Sequence, residues 1–111
     1  MLGKRIGFLG FDGVTGAYLV APGDIFAAAT LDSGYGNRIP CYQTYTIGLT
    51  SDMFRAESGM IFRPDETFQT VPELDTIIVP GGKGLRQSQT SNEISDWLLT
   101  RANRMRRIAA T

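Results

Sequence analysis

Two adjacent glycines, Gly81 and Gly82, follow a short apolar run in the stretch LDTIIVPGGKGL, residues 74–85. Glycines just past a strand let backbone N–H groups point into a crevice without side-chain obstruction, and such donors stabilise an anion or a developing oxyanion. The same pair would equally serve to turn the chain tightly between a strand and a helix, and the residue types alone leave both readings open. What the chain lacks narrows the chemistry. It has no histidine, the commonest general base and a common transition-metal ligand, so neither a Cys–His nor a Ser–His pair can be completed within it. No metal site and no cofactor are expected. The one cysteine, Cys41, opens a predicted strand far from the glycine pair in chain order and is expected to act as a small, partly buried hydrophobe.

Neither common nucleotide-binding pattern fits these glycines. Gly10, Gly13 and Gly16 are spaced G-x-x-G-x-x-G instead of G-x-G-x-x-G, and Lys83 lacks both the four-residue glycine loop before it and the Ser or Thr after it. Eleven basic residues balance eleven acidic ones, so no global field favours nucleic acid or an anionic membrane. Arg101, Arg104, Arg106 and Arg107 cluster where a helix is expected to end, a place its dipole and solvation both favour for cations. The N-terminal apolar run is too short and too broken by glycine for a signal peptide or membrane span, and a single cysteine suits a reducing compartment. The cytoplasm is therefore the expected location.

The elements that must position the glycines read as a parallel α/β sheet. Residues 5–11 form a strand apolar on both faces, and Gly13 marks the turn after it. A helix is expected from Thr15 to about Leu31, with Leu19, Ile25, Phe26 and Ala29 on its apolar side. Pro22 either kinks it or opens its main part, and Gly34 and Gly36 end it. Residues 41–51 read as a second strand, and a small hairpin follows, Phe54 to Ala56 and Met60 to Arg63 around a Glu-Ser-Gly turn. After a turn or single helical turn at 70–75 comes the strand TIIVP. Ser91 is expected to cap a helix with Glu93 in its first turn and Ile94, Trp97, Leu98 and Met105 facing inward, and RRIAAT, residues 106–111, begins a last strand. This order belongs to a single domain with right-handed crossovers, whose crevice lies outside the carboxyl ends of its strands. Gly81 and Gly82 fall there.

KRIGFLGFDGVTG, APGDIFAAA, YTIGLTSDMFRAESGMIF and PELDTIIVPGGKGLR, in that order, resemble the first half of the PfpI-like (ThiJ/PfpI) superfamily, the type 1 glutamine amidotransferase-like fold. The resemblance covers nearly the whole chain and is closest to the branch found as the N-terminal domain of AraC-type transcription regulators. It implies a flavodoxin-like three-layer α/β sandwich with a mostly parallel sheet, of which residues 1–111 are the N-terminal part. Pro22, Asp24 and Phe26 match the family's P-x-E-V-F motif with Asp for Glu; its acidic residue faces the nucleophile, which makes Asp24 the leading site residue. An acid near a helix start is also favoured by the macrodipole whatever its function. Relatives often carry a further Asp between the first glycines and that proline, where this chain has Tyr18; Tyr18 and Gly13 would lie on the ligand side. By the family pattern RRIAAT leads into a sharp elbow bearing a cysteine nucleophile, or its replacement in regulator domains that have lost chemistry. The elbow is then expected one or two residues past Thr111, facing Gly81 and Gly82.

The resemblance implies as first expectation the ligand-sensing and dimerising part of an AraC-type regulator, non-catalytic as written, with DNA contacted only by a module outside these residues. The alternative is a PfpI-like cysteine-dependent enzyme, an amidase, hydratase or deglycase-like hydrolase, using a thiolate, Asp24 and the Gly81–Gly82 donors. A third expectation is a self-associating half-domain, because a sheet that stops at its last written strand exposes an edge and an apolar face. A homo-oligomer, a small-molecule ligand and no membrane are the partners expected.

Overall fold

Apolar runs too short for helices and rich in Ile, Val and Phe supply the central strands, and the glycine-bearing segments between them turn the chain. The computed structural model describes residues 3–32 and 34–111. In chain order the elements are β1 (Lys4–Gly10), α1 (Ala17–Ala28), β2 (Thr30–Asp32), β3 (Arg38–Pro40), β4 (Tyr42–Gly48), β5 (Phe54–Arg55), β6 (Ile61–Phe62), β7 (Glu66–Thr67), β8 (Thr76–Val79), α2 (Ser88–Arg101) and β9 (Arg107–Ala110). Short 3-10 turns at Lys83–Arg86 and Ala102–Arg104 flank α2.

The central sheet runs β7-β4-β1-β8-β9 with every neighbouring pair parallel. Apart from the two-residue β7, its strands therefore stand in the order second, first, third, fourth, which is the flavodoxin-like arrangement. Right-handed crossovers from β1 leftward to β4 and from β8 rightward to β9 put α1 and α2 on opposite faces. β1 is buried on both: Phe8 packs against Phe26 of α1 with ring centroids 6.2 Å apart, and Leu9 stands in register with Ile47 on the other face. Leu9, Ile47 and Ile77 are fully enclosed. Each such side chain contributes roughly 1.5–3 kcal/mol relative to exposure. Trp97 closes the α2 layer, stacking on Phe68 at 4.4 Å and donating its indole N–H to the Phe68 carbonyl at 3.1 Å.

Several local expectations change. α1 stops at Ala28, and Gly34 and Gly36, both at positive φ, turn a hairpin in which β2 pairs antiparallel with β3. These glycines end a hairpin turn instead of a helix because Asp32 accepts the Gly34 N–H on its side chain, closing an Asx-type turn. Ile25 is 70% exposed and lies off the buried side of α1. Pro22 stands inside α1, where it withholds the N–H that the carbonyl of Tyr18 would otherwise accept. Ser91 does not cap α2. The extended Gln87 separates the 3-10 turn at Lys83–Arg86 from the helix, which starts at Ser88, and the Ser91 hydroxyl donates to the Leu85 carbonyl. Glu93 is thereby past the first turn and accepts a hydrogen bond from Gln89 at 3.2 Å. The turn near 70–75 falls earlier, with the Thr70 and Val71 N–H groups on the Thr67 carbonyl. RRIAAT does form the outermost strand, and all four residues of β9 are exposed.

Candidate functional site

The two crossovers diverge between β1 and β8, and in an open parallel sheet the carboxyl end of that junction is where ligands bind. The chain brings three loop segments together there. Gly13–Val14–Thr15 lies in the middle. On one side it meets the segment leaving β5: the Gly13 N–H donates to the Arg55 carbonyl at 2.8 Å and the Glu57 N–H to the Val14 carbonyl at 2.9 Å. On the other it meets the glycine turn: the Thr15 N–H donates to the Gly81 carbonyl at 2.9 Å and the Gly84 N–H to the Gly13 carbonyl at 3.1 Å. Val14 and Gly82 form an isolated antiparallel bridge, and Val14 is completely buried beneath it.

Close approach dictates the glycine at 82. Its φ is +153°, and an added Cβ would lie 2.7 Å from the Val14 Cα and 2.8 Å from the Thr15 nitrogen. No other residue lets the turn rest on the β1–α1 loop in this way. Beside it, the Gly81 N–H donates to the hydroxyl of Thr111 at 3.3 Å, and the Thr111 N–H donates to the Val79 carbonyl at 3.2 Å. Tyr18, on the first turn of α1 and 44% exposed, closes the other side: a Cβ at Gly81 would stand 3.8 Å from its ring. The end of β9, the first turn of α1 and the glycine turn thus converge on one small surface with backbone N–H groups at its centre.

Of the residues expected in the site, Gly13, Tyr18, Gly81 and Gly82 are brought together. Asp24 is exposed on α1, six residues and about 9 Å of helix rise beyond Tyr18. As the eighth residue of α1 it is beyond the reach of the helix N-terminal dipole, so the macrodipole does not account for it. Cys41 lies at the amino end of β4, the opposite end of the sheet, where it is half-buried in an apolar groove of about 440 Å³ with Leu31, Ile39, Pro40 and Tyr42. Arg101 packs its guanidinium over Trp97 at 5.4 Å, while Arg104, Arg106 and Arg107 are exposed, at the start of β9 and just before it. Among the described residues no cluster of His, Cys, Asp or Glu is placed to hold a metal ion.

No family model matches the chain. Over 106 residues, 96% of its length, it is 26% identical to the isonitrile hydratase of Pseudomonas putida and spans 42% of that protein. It superposes on a ThiJ/PfpI family protein from Pseudomonas syringae with a TM-score of 0.72 at 22% identity, covering 99% of this chain and 42% of the other. DJ-1beta of Drosophila melanogaster gives 0.74 at 17% identity, covering 98% and 55%, and the DJ-1 of Toxoplasma gondii 0.73 at 16%, covering 97% and 55%. The chain has the ThiJ/PfpI/DJ-1 fold. It spans about half, or somewhat less, of the length of each of these proteins.

Within the ThiJ/PfpI/DJ-1 fold, the convergence of Gly81 and Thr111 has a plain structural origin. β8 and β9 are in parallel register from Thr76–Arg107 to Val79–Ala110, so the residues that follow each strand leave the sheet side by side. Thr15, Glu57 and Thr111 are the site residues that sequence reasoning passed over. The only signal for Glu57 was its place in the Glu-Ser-Gly turn, because its partners lie 42 and 26 residues away. No helix among the described residues is long and apolar enough to cross a membrane.

Proposed function

We propose that the chain forms the N-terminal, ligand-facing part of a ThiJ/PfpI-type domain that carries out hydratase-like, cysteine-dependent chemistry on a small molecule. The observation that carries this reading is the hydrogen bond from the Gly81 N–H to Thr111 at the end of β9. A nucleophile held just beyond that strand would stand beside the glycine turn, whose N–H groups would stabilise negative charge developing on the substrate. Asp24, exposed about 9 Å of helix rise beyond Tyr18, lies outside this crevice and is not assigned a part in the chemistry. The similarity to an isonitrile hydratase, which extends over 96% of the chain, supports hydration as the reaction type. Water added across an isonitrile gives an N-substituted formamide, with no redox change and no cofactor.

The test is to express the coding sequence carried past codon 111 and to follow an alkyl isonitrile and its formamide product by NMR, with residues 1–111 alone as control. Turnover that depends on a cysteine in the extension supports the proposal. Saturable binding without turnover would overturn the enzymatic part.

One observation favours a second reading, the ligand-sensing and dimerising part of an AraC-type regulator. Tyr18 places a phenol ring beside Gly81 where relatives often carry an Asp, which suits holding a ligand better than activating one. Ligand-dependent DNA binding by the longer product would decide for it.

A further inference from the structure

Glu57 reaches from the β5–β6 hairpin to both segments that frame the glycine turn. One carboxylate oxygen, Oε1, accepts the Thr15 hydroxyl at 3.0 Å; the other, Oε2, accepts the Lys83 backbone N–H at 3.2 Å. Its own N–H holds the Val14 carbonyl at 2.9 Å, and Thr15 in turn donates its N–H to the Gly81 carbonyl at 2.9 Å. One side chain therefore ties the β1–α1 loop to the residue directly after Gly82. No guanidinium or ammonium pairs with that carboxylate among the described residues. With the Gly81 N–H on Thr111 and the Lys83 N–H on Glu57, the site consequently sets the Gly82 N–H, a donor that attracts electron-rich atoms, beside a fixed negative charge.

We propose that Glu57 is both the positioning residue of the Gly81–Gly82 turn and its charge filter, so that the crevice takes neutral hydrogen-bond acceptors, such as carbonyl compounds or isonitriles, in preference to carboxylates or phosphates. The inference rests on the crevice reading above and adds the charge class of the ligand. Its physical basis is short range. Glu57 ends on the N–H of residue 83, so an atom held by the Gly82 N–H lies within about 7 Å of the carboxylate. Repulsion between two unit charges at that distance, partly screened by solvent, disfavours an anion by a factor of about five. A neutral acceptor of the same shape makes the same hydrogen bonds without that penalty. The brace matters independently of the charge, because N–H donors that stabilise a ligand must already be aimed when it arrives.

Formamide and formate separate these effects, having nearly the same shape and differing by one charge. Each is titrated into the ¹⁵N-labelled chain while the Gly81, Gly82 and Lys83 amide signals are followed. In the wild type both probes move these signals and formamide binds more tightly. Glu57→Gln, which keeps the shape and removes the charge, raises formate affinity relative to formamide about fivefold. Added salt narrows the wild-type difference and leaves the variant unchanged. Glu57→Asp keeps the charge but shortens the reach, so it retains the preference for formamide while the Lys83 amide exchanges faster with solvent. An unchanged formamide-to-formate ratio in folded Glu57→Gln, with both probes still moving the glycine signals, overturns the role of Glu57 alone. Failure of both probes to move those signals in the wild type removes the crevice reading and this inference with it.

Discussion

The loops at the carboxyl ends of β1 and β8 and the outer edge of the same sheet are held in opposite ways. At the loops, Gly13–Thr15 is bonded on both sides, by Arg55 and Glu57 and by Gly81 and Gly84, and the completely buried Val14 anchors it. At the edge, β9 pairs among the described residues with β8 alone, and its four residues are exposed. α1 adds Val20 and the 70% exposed Ile25 to the open apolar surface. Parallel sheets are ordinarily covered on both faces. The loops are thus held by several bonds among neighbouring segments, whereas β9 rests on a single strand pairing.

The largest expected effect breaks the brace directly. A Cβ on Gly84 would overlap the carbonyl oxygen of Asp12, and one on Gly82 would overlap the Gly13 carbonyl oxygen at a backbone angle that side chains rarely adopt. Neither obstacle is the tip of a flexible side chain, so the backbone itself must move. Gly84→Ala and Gly82→Ala should each destabilise the chain by about 4 kcal/mol, near the upper limit for single substitutions. Chemical denaturation measures this. A loss below about 1 kcal/mol would mean that the three loop segments are not held together in solution.

Next in size comes a pair of isoleucines in register. Ile77 of β8 is fully enclosed, whereas Ile108 beside it on β9 is 47% exposed. Ile77→Ala should cost about 3 kcal/mol, within the usual range for a buried isoleucine, and Ile108→Ala about 1 kcal/mol. An edge whose last three residues, Ile108 to Ala110, carry no charge is also a template for further strands. We expect the 111-residue chain to self-associate with rising concentration in light scattering, and Ile108→Lys to shift it toward the monomer. Equal costs at 77 and 108 would show that Ile108 is buried in solution, which an associated edge would produce.

The sequence made the core strands legible because burial on both faces demands near-continuous apolar residues. β1 and β8 carry that mark, with Ile6, Phe8, Leu9, Ile77 and Ile78 buried, whereas β4 was legible from its alternation of aromatic, polar and β-branched residues and buries Ile47. The β5–β6 hairpin was legible from Gly59, which turns at positive φ where the Glu-Ser-Gly stretch predicts it. β2 and β3 were not. Their facing residues, Leu31 and Ile39, are both exposed, so no burial pattern separates a three-residue strand from the tail of a helix. β7 is two residues long and leaves no periodicity at all. Ser91 misled because its residue type suits a cap, yet the extended Gln87 holds the cap position and the helix starts three residues earlier, at Ser88. At the candidate site the glycines were legible from local conformational need. Glu57 was not, because an exposed glutamate in a hairpin turn acquires its partners, Thr15 and Lys83, only through folding.

The smallest expected effect places the same chemical change on the open side of the molecule. Gly23 stands inside α1, and an added Cβ there would meet nothing within 4 Å. Replacing a glycine in a helix interior by alanine relieves an unfolded-state entropy cost, so Gly23→Ala should stabilise the chain by about 0.5–1 kcal/mol. A methyl group is thus expected to have opposite signs at positions 84 and 23. A stability gain in dilute solution that turns into a loss at concentrations where the chain associates would locate the association surface on α1 as well as on β9. A gain at every concentration would confine it to the strand edge, because a surface pressed against this stretch of α1 would have to make room for the new methyl group.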